Sequence, residues 1–322
     1  GDYSSLIDAL EWQRAAIALF EETGAAALAT DTRWQHALTL LAVATREVET
    51  ERLEEAIAML AALADNPRVG DNPAQAAAIA FQQARANAVF ATRRTDEAAL
   101  RQAIDDLAAL MDRAAPDDLQ TRTAIHAEAG KAASALAMMV EDVDLYRNAV
   151  AWLKPAIDQH EAWGTRRTNP WPFAELFSPW ADTLTALAVE TERPADIAPA
   201  IAAGIDMRGQ FFALGVDAGV ASTANGVAYL MSIELRSAFD EERYRTARRY
   251  VDEAMRLVAA APFYTGYFQN TTCELDLEKA RHDRDLDAAR AALALCEQAM
   301  KSLVEHAQDT AFDTVEKSIA RA

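Results

Sequence analysis

The residues of this chain able to do acid–base, metal or nucleophilic chemistry are five histidines, two cysteines and a surplus of carboxylates. Their spacing points away from all three chemistries. His36, His126, His160, His282 and His306 stand far apart, and no pair has the i, i+4 spacing that sets two imidazoles over zinc on one helix face. They read as solvated or hydrogen-bonded structural side chains. Asp283, Asp285 and Asp287 have the opening rhythm of a calcium loop. Ala288 stands where that loop needs glycine, and Ala294 where it needs a bidentate glutamate. A turn followed by a helix start is expected there instead. Asp105-Asp106 and Asp117-Asp118 lack the further aspartate that would clamp a diphosphate through metal ions, so they read as solvated faces or helix caps. Gly215, Gly219 and Gly226 do not form a phosphate-cradling pattern, and no serine sits in a Gly-x-Ser-x-Gly turn. No cofactor, metal or catalytic residue is implied, and the chain reads as a non-enzyme.

Cys273 and Cys296 are not in a Cys-x-x-Cys spacing, so zinc is not expected. They lie in successive expected helices, nearly equidistant from a turn near Arg284, and can face each other. Two buried free thiols are the expectation, with a disulfide as the alternative.

Two groups of residues have the chemistry of recognition rather than catalysis. Trp163, Trp171, Phe173, Phe177 and Trp180 cluster with Arg166 and Arg167, and Gly164 to Phe173 reads as the longest irregular segment. Trp and Arg dominate binding hot spots. Arg166, Arg167, Trp171, Phe173 and Trp180 are therefore candidates for a loop that docks a partner, the alternative being a small core that pins the loop. The second group is Gln82, Arg85, Asn87, Asn225, Tyr229, Gln269 and Asn270, set in alanine-rich sequence. Asparagine can hydrogen-bond a peptide backbone whatever its side chains, which suits an extended ligand; plain solvent exposure is the alternative.

The elements that must carry these residues are helices in a repeat. Leu53, Ala56, Leu60 and Leu63 fall on one helical face. Taking Ala56 as marker, equivalent alanines stand at Ala9, Ala103, Ala149, Ala200, Ala247 and Ala289, in steps of 47, 47, 46, 51, 47 and 42 residues. Three residues before each stands an apolar side chain: Leu6, Leu53, Leu100, Tyr146, Ile197, Tyr244 and Leu286. A small residue at the centre of each face lets a neighbouring helix approach, and the larger ones fill the seam.

This column resembles the second helix of a tetratricopeptide repeat, most closely at Tyr146-Arg147-Asn148-Ala149 and Tyr244-Arg245-Thr246-Ala247. The resemblance runs along nearly the whole chain but rests on one helix of each pair. The family's period is about 34 residues, its Trp, Leu-Gly and Tyr signature in the first helix is not recoverable here, and Gly204 stands where a large residue belongs. HEAT-like hairpins also suit the longer period. The resemblance implies an all-α, right-handed α-solenoid of about six to seven antiparallel helical hairpins, with the first helix of each pair lining a concave groove. It implies one helical-repeat domain over 1–322 and a polar capping helix over 309–322 that carries Asp313, Glu316, Lys317 and Arg321. The expected function is a protein- or peptide-binding scaffold. One alternative is a regulatory or sensor repeat domain of a larger signalling ATPase or protease, since the chain begins almost inside a helix. Another is an α/α-toroid enzyme, for which only the Trp-Pro stretch with Glu175 and Asp182 offers clustered carboxylates and aromatics.

The formal net charge of −19 excludes whole classes of partner. Non-specific nucleic-acid binding needs a basic face, and so does an anionic membrane surface. Solubility is one reading of the charge, and a basic or neutral peptide partner is the other. No run of 18 apolar residues exists, and no basic-then-apolar signal peptide opens the sequence. A cytoplasmic place is expected.

Punctuation along the chain sets the remaining boundaries. Gly24 ends a helix from Ser4, and Asp31 or Thr32 is placed to cap the next. A helix over 50–64 stops at Asn66-Pro67, and Asn72-Pro73 starts one that runs to Arg94. Further helices are expected near 118–140, 143–161, 174–191, 194–212, 217–238, 241–259, 264–282 and 285–308.

Overall fold

The computed structural model describes residues 3–47, 49–259 and 264–305. The capping helix expected over 309–322 lies outside them. Among the described residues every regular element is a helix: α1 (Tyr3–Glu22), α2 (Ala26–Ala44), α3 (Glu51–Ala64), α4 (Pro67–Gly70), α5 (Pro73–Arg94), α6 (Glu97–Arg113), α7 (Leu119–Val140), α8 (Val143–Ala162), α9 (Thr165–Thr168), α10 (Pro170–Thr191), α11 (Pro194–Leu214), α12 (Asp217–Ser237), α13 (Glu241–Leu257), α14 (Thr265–Asp283) and α15 (Leu286–Glu305). The chain divides into two compact units, Gly1–Gln159 and His160–Ala322. Within each, helices pack on their neighbours in chain order, the packing of an all-α helical-repeat solenoid.

Local chemistry explains the helix starts and stops. In three of the two-residue turns that join the helices of a pair, a left-handed residue stops one helix and an aspartate starts the next. Thr95, Glu141 and Arg284 have φ of 50°, 54° and 57°. Asp96, Asp142 and Asp285 follow them, and each side chain accepts from the backbone N–H three residues on, at Ala99, Leu145 and Ala288, each at 3.0 Å. Asp240 caps α13 in the same way, accepting from the Arg243 N–H at 2.6 Å. Carboxylates at these positions also meet the positive end of the helix dipole.

The alanine column lies in the core. Ala56, Ala149, Ala200 and Ala247 are wholly buried, and Ala103 nearly so. Leu53, Leu100, Tyr146 and Ile197 are buried beside them. At α15 the column sits three residues later than expected. Leu286 is 74% exposed, while Ala292, Cys296, Ala299 and Leu303 are buried. Leu286 is the first residue of its helix, where an apolar side chain has no turn before it to pack over. Gly204 stands in the column because α12 comes too close for a side chain: a Cβ there would lie 2.5 Å from Val227 Cγ2. Gly130 of α7 does the same against Leu153 of α8, also at 2.5 Å.

Two expectations about boundaries are corrected. Asp31 and Thr32 do not cap α2 but lie inside it, since the helix begins at Ala26 directly after the Gly24 turn. Gly164 to Phe173 is not irregular. Gly164, at φ 70°, ends α8 and opens α9, and Pro170 is the first residue of α10, where its fixed φ favours a helix and its missing N–H costs nothing. Pro155, Pro179 and Pro199 lie inside helices that continue through them.

Candidate functional site

In the first unit, Gln82, Arg85 and Asn87 all lie on α5 and are half-buried. Arg85 donates to Gln82 Oε1 at 3.4 Å and pairs with Glu128 of α7 at 3.3 Å; Lys131 holds the same carboxylate at 3.0 Å. A cavity of about 910 Å³ lies here. Its walls are the alanines of α5 with Phe81, Gln82, Leu110, Arg113 and Ile125.

In the second unit, the expected docking segment is divided between packing and surface. Arg166 makes a bidentate pair with Asp206 of α11 at 2.6 and 2.7 Å, pairs with Glu161 at 2.5 Å, and lies over the rings of Phe173 and Phe177 at 4.8 and 5.6 Å. The hydrogen bonds it donates to Asp206 hold its pKa above the usual guanidinium value despite partial burial. Phe173 has no exposed surface. Arg166 and Phe173 therefore tie α9 and α10 to α11. Arg167 is exposed, and Trp171 is 50% exposed with its indole N–H donating to Glu175 at 2.9 Å. Trp180 is half-buried against Phe177, and its Nε1 is buried without a hydrogen-bond partner.

The remaining expected residues lie on α12 and α14, which pack together, and α12 also meets α10. Asn225 and Tyr229 are half-buried on α12, Gln269 is half-buried on α14, and Asn270 is 5% exposed. Buried without a partner are Asn225 Oδ1, Gln269 Oε1 and Asn270 Oδ1. A carboxamide can rotate to offer either its oxygen or its NH₂, so each group as a whole lacks a partner for one edge. Leaving such an atom buried and unbonded costs about 1–3 kcal/mol, and these three atoms with Trp180 Nε1, on α10, α12 and α14, ask for an explanation. Asp182 of α10 adds a carboxylate. It reaches solvent yet is crowded, so loss of water raises its pKa above the ordinary value, and its hydrogen bond from Ser178 at 3.2 Å only partly offsets this.

A charged network in this unit was not legible in the sequence. Glu274 and Glu278 of α14 are 1% and 6% exposed. Arg236 of α12 reaches Glu192 at 2.8 Å, Glu274 at 2.9 Å and Glu278 at 3.8 Å. Burial works against its charge, but these carboxylates outweigh it and raise its pKa. Arg243 pairs with Glu234 at 2.6 Å. A cavity of about 770 Å³ opens between Glu192, Glu234, Arg236, Asp240, Glu242 and Arg243, four carboxylates against two guanidinium groups. The alternation of Glu274 and Glu278 at i, i+4 was visible, but nothing in the spacing said that this face of α14 is buried.

Among the described residues, no group of three or more His, Cys, Asp or Glu side chains is placed to hold a metal ion, and no helix is long and apolar enough to cross a membrane. No family model matches the chain, and no curated protein does. Among solved structures, one described as a "circular tandem repeat protein with novel repeat topology and enhanced subunit contact surfaces" is 17% identical, covers 98% of this chain and 82% of its own, and gives a TM-score of 0.29.

Proposed function

We propose that the chain is a non-enzymatic binding scaffold of tetratricopeptide-like, long-helix repeats with a period near 47 residues, which holds a protein or peptide partner on the first helix of each pair. The observation that carries this reading is the set of unpartnered polar atoms on Trp180, Asn225, Gln269 and Asn270. One indole donor and three carboxamides match what an extended backbone offers, alternating N–H and C=O groups. Asp182 nearby, and the net charge of −19, favour a basic or neutral segment. Tyr229 of α12 belongs to the same set, and Gln82, Arg85 and Asn87 of α5 are the polar set of the first unit. Arg167 and Trp171 supply exposed contacts at the start of α10, with Arg166 and Phe173 as their support. Nucleic acid and membrane surfaces are not partners in this reading, and 1–322 acts as one repeat domain built from the two compact units.

Immobilised peptides of basic, neutral and acidic composition test it. Basic and neutral peptides are expected to retain the protein. Asn225→Leu and Asn270→Leu are each expected to weaken retention about five- to tenfold, the worth of a hydrogen bond of about 1 kcal/mol. Equal retention of wild type and both variants sinks the assignment of the site, and retention of no peptide sinks the scaffold reading.

A further inference from the structure

Cys273 and Cys296 are the only cysteines in the sequence. Each is wholly buried, and they are joined by a disulfide between α14 and α15, with Cα atoms 5.4 Å apart. The expectation of free thiols is thus corrected. The hairpin turns at Arg284 and Asp285, midway between the two, so an antiparallel pair sets them opposite each other at the separation a disulfide spans. Around them pack Leu277, Ala292 and Leu295.

Burial fixes when such a bond can form. Once α15 lies on α14, neither sulfur has a surface that an oxidant can reach. We infer that the bond is made before α15 docks, by exchange with a protein or small-molecule disulfide oxidant, and that the chain folds in an oxidising compartment rather than in the cytoplasm. One thiolate attacks the oxidant's disulfide, forming a mixed disulfide and releasing the oxidant's first thiol. The second thiolate then displaces the oxidant's other sulfur. The chain gives up two electrons and two protons, and the oxidant leaves as two thiols. The same burial then shields the finished bond from reductants.

The strap sits where the packing needs one. α14 fills its buried face with Asn270, Thr271, Thr272, Glu274 and Glu278 as well as with apolar groups. Those side chains supply less hydrophobic stabilisation than the leucines and alanines of the other pairs. The bond, across a sequence separation of 23 residues, offsets this by restricting the unfolded chain.

The test needs no variant to begin. Protein taken from its source cell, acid-quenched and alkylated in concentrated denaturant without reductant, is weighed intact. No alkylated cysteine is expected, and two are expected after reduction. Two alkylated cysteines without reduction overturn the inference. Refolded oxidised and reduced chains are then melted beside Cys273→Ser/Cys296→Ser. The reduced chain and the double variant are expected to melt roughly 5–10 °C lower. Equal melting of oxidised and reduced wild type overturns the role of the bond as a strap, whatever the variant does.

Discussion

A carboxylate crowded by its neighbours and without an ion-pair partner among the described residues, as Asp182 is, favours its protonated form. The folded pKa lies above the ordinary carboxyl value of 3.8. The stability tied to this group is therefore present below the unfolded pKa and is lost as pH rises through the folded one. Asp182→Asn should then raise the melting temperature at neutral pH, and the gain should fade as pH falls into the carboxylate range. A variant that melts lower at neutral pH would mean that the charge is stabilising where it stands. At this scale the sequence was partly legible. Asn225 could be picked out because a polar side chain on an otherwise small-residue helix is conspicuous, and Gln269 and Asn270 as adjacent carboxamides. Their burial was not legible, nor was that of Glu274 and Glu278, because α14 mixes polar and apolar residues around its circumference and has no periodic face to read. Arg166 and Phe173 looked like surface contacts because tryptophans and prolines surround them, but the partner of Arg166, Asp206, is 40 residues further on, and Phe173 packs under Arg166.

Helices were read better than side chains, since caps and stops are local. Asn72-Pro73 gave the start of α5 directly, and Asn72 accepts from the Gln75 N–H at 3.3 Å. Gly164 to Phe173 was misread because its prolines stand at or near the first turn of α10, where they start a helix rather than break one. Gly204 shows what only packing reveals. In the sequence it is a missing large residue; in the structure it is a place where α12 leaves no room on α11 for a side chain. Gly204→Ala puts a methyl group 2.5 Å from Val227 Cγ2 and should cost about 1–3 kcal/mol in denaturant unfolding. Val227→Ala on that background should restore part of the loss, a coupling of about 0.5–3 kcal/mol. Additive losses from the two changes would show that the helices do not meet there.

At the scale of the whole molecule, an all-α helical repeat was legible in the alanine column, and Ala56, Ala103, Ala149, Ala200 and Ala247 are buried. The division at Gln159 was not, because it falls inside α8, where no break in composition marks it. Charge is the other property of the whole. A net charge of −19 repels itself in the compact state, and salt screens that repulsion over about 10 Å at 0.1 M. Added sodium chloride should therefore raise the melting temperature of the wild-type chain. A temperature that falls with salt would show that local ion pairs such as Arg236 with Glu274 outweigh the repulsion.

The two-residue turns at Thr95-Asp96, Glu141-Asp142 and Arg284-Asp285 leave no slack. An inserted residue would separate the stop signal from the start signal and rotate the second helix out of its seam. The joins between pairs are looser: one holds α4 and another α9. Length variation, duplication and circular permutation should therefore be tolerated between hairpins and rejected within them. The unit such a chain can copy, lose or exchange is a complete pair of helices with its own aspartate, not a single helix.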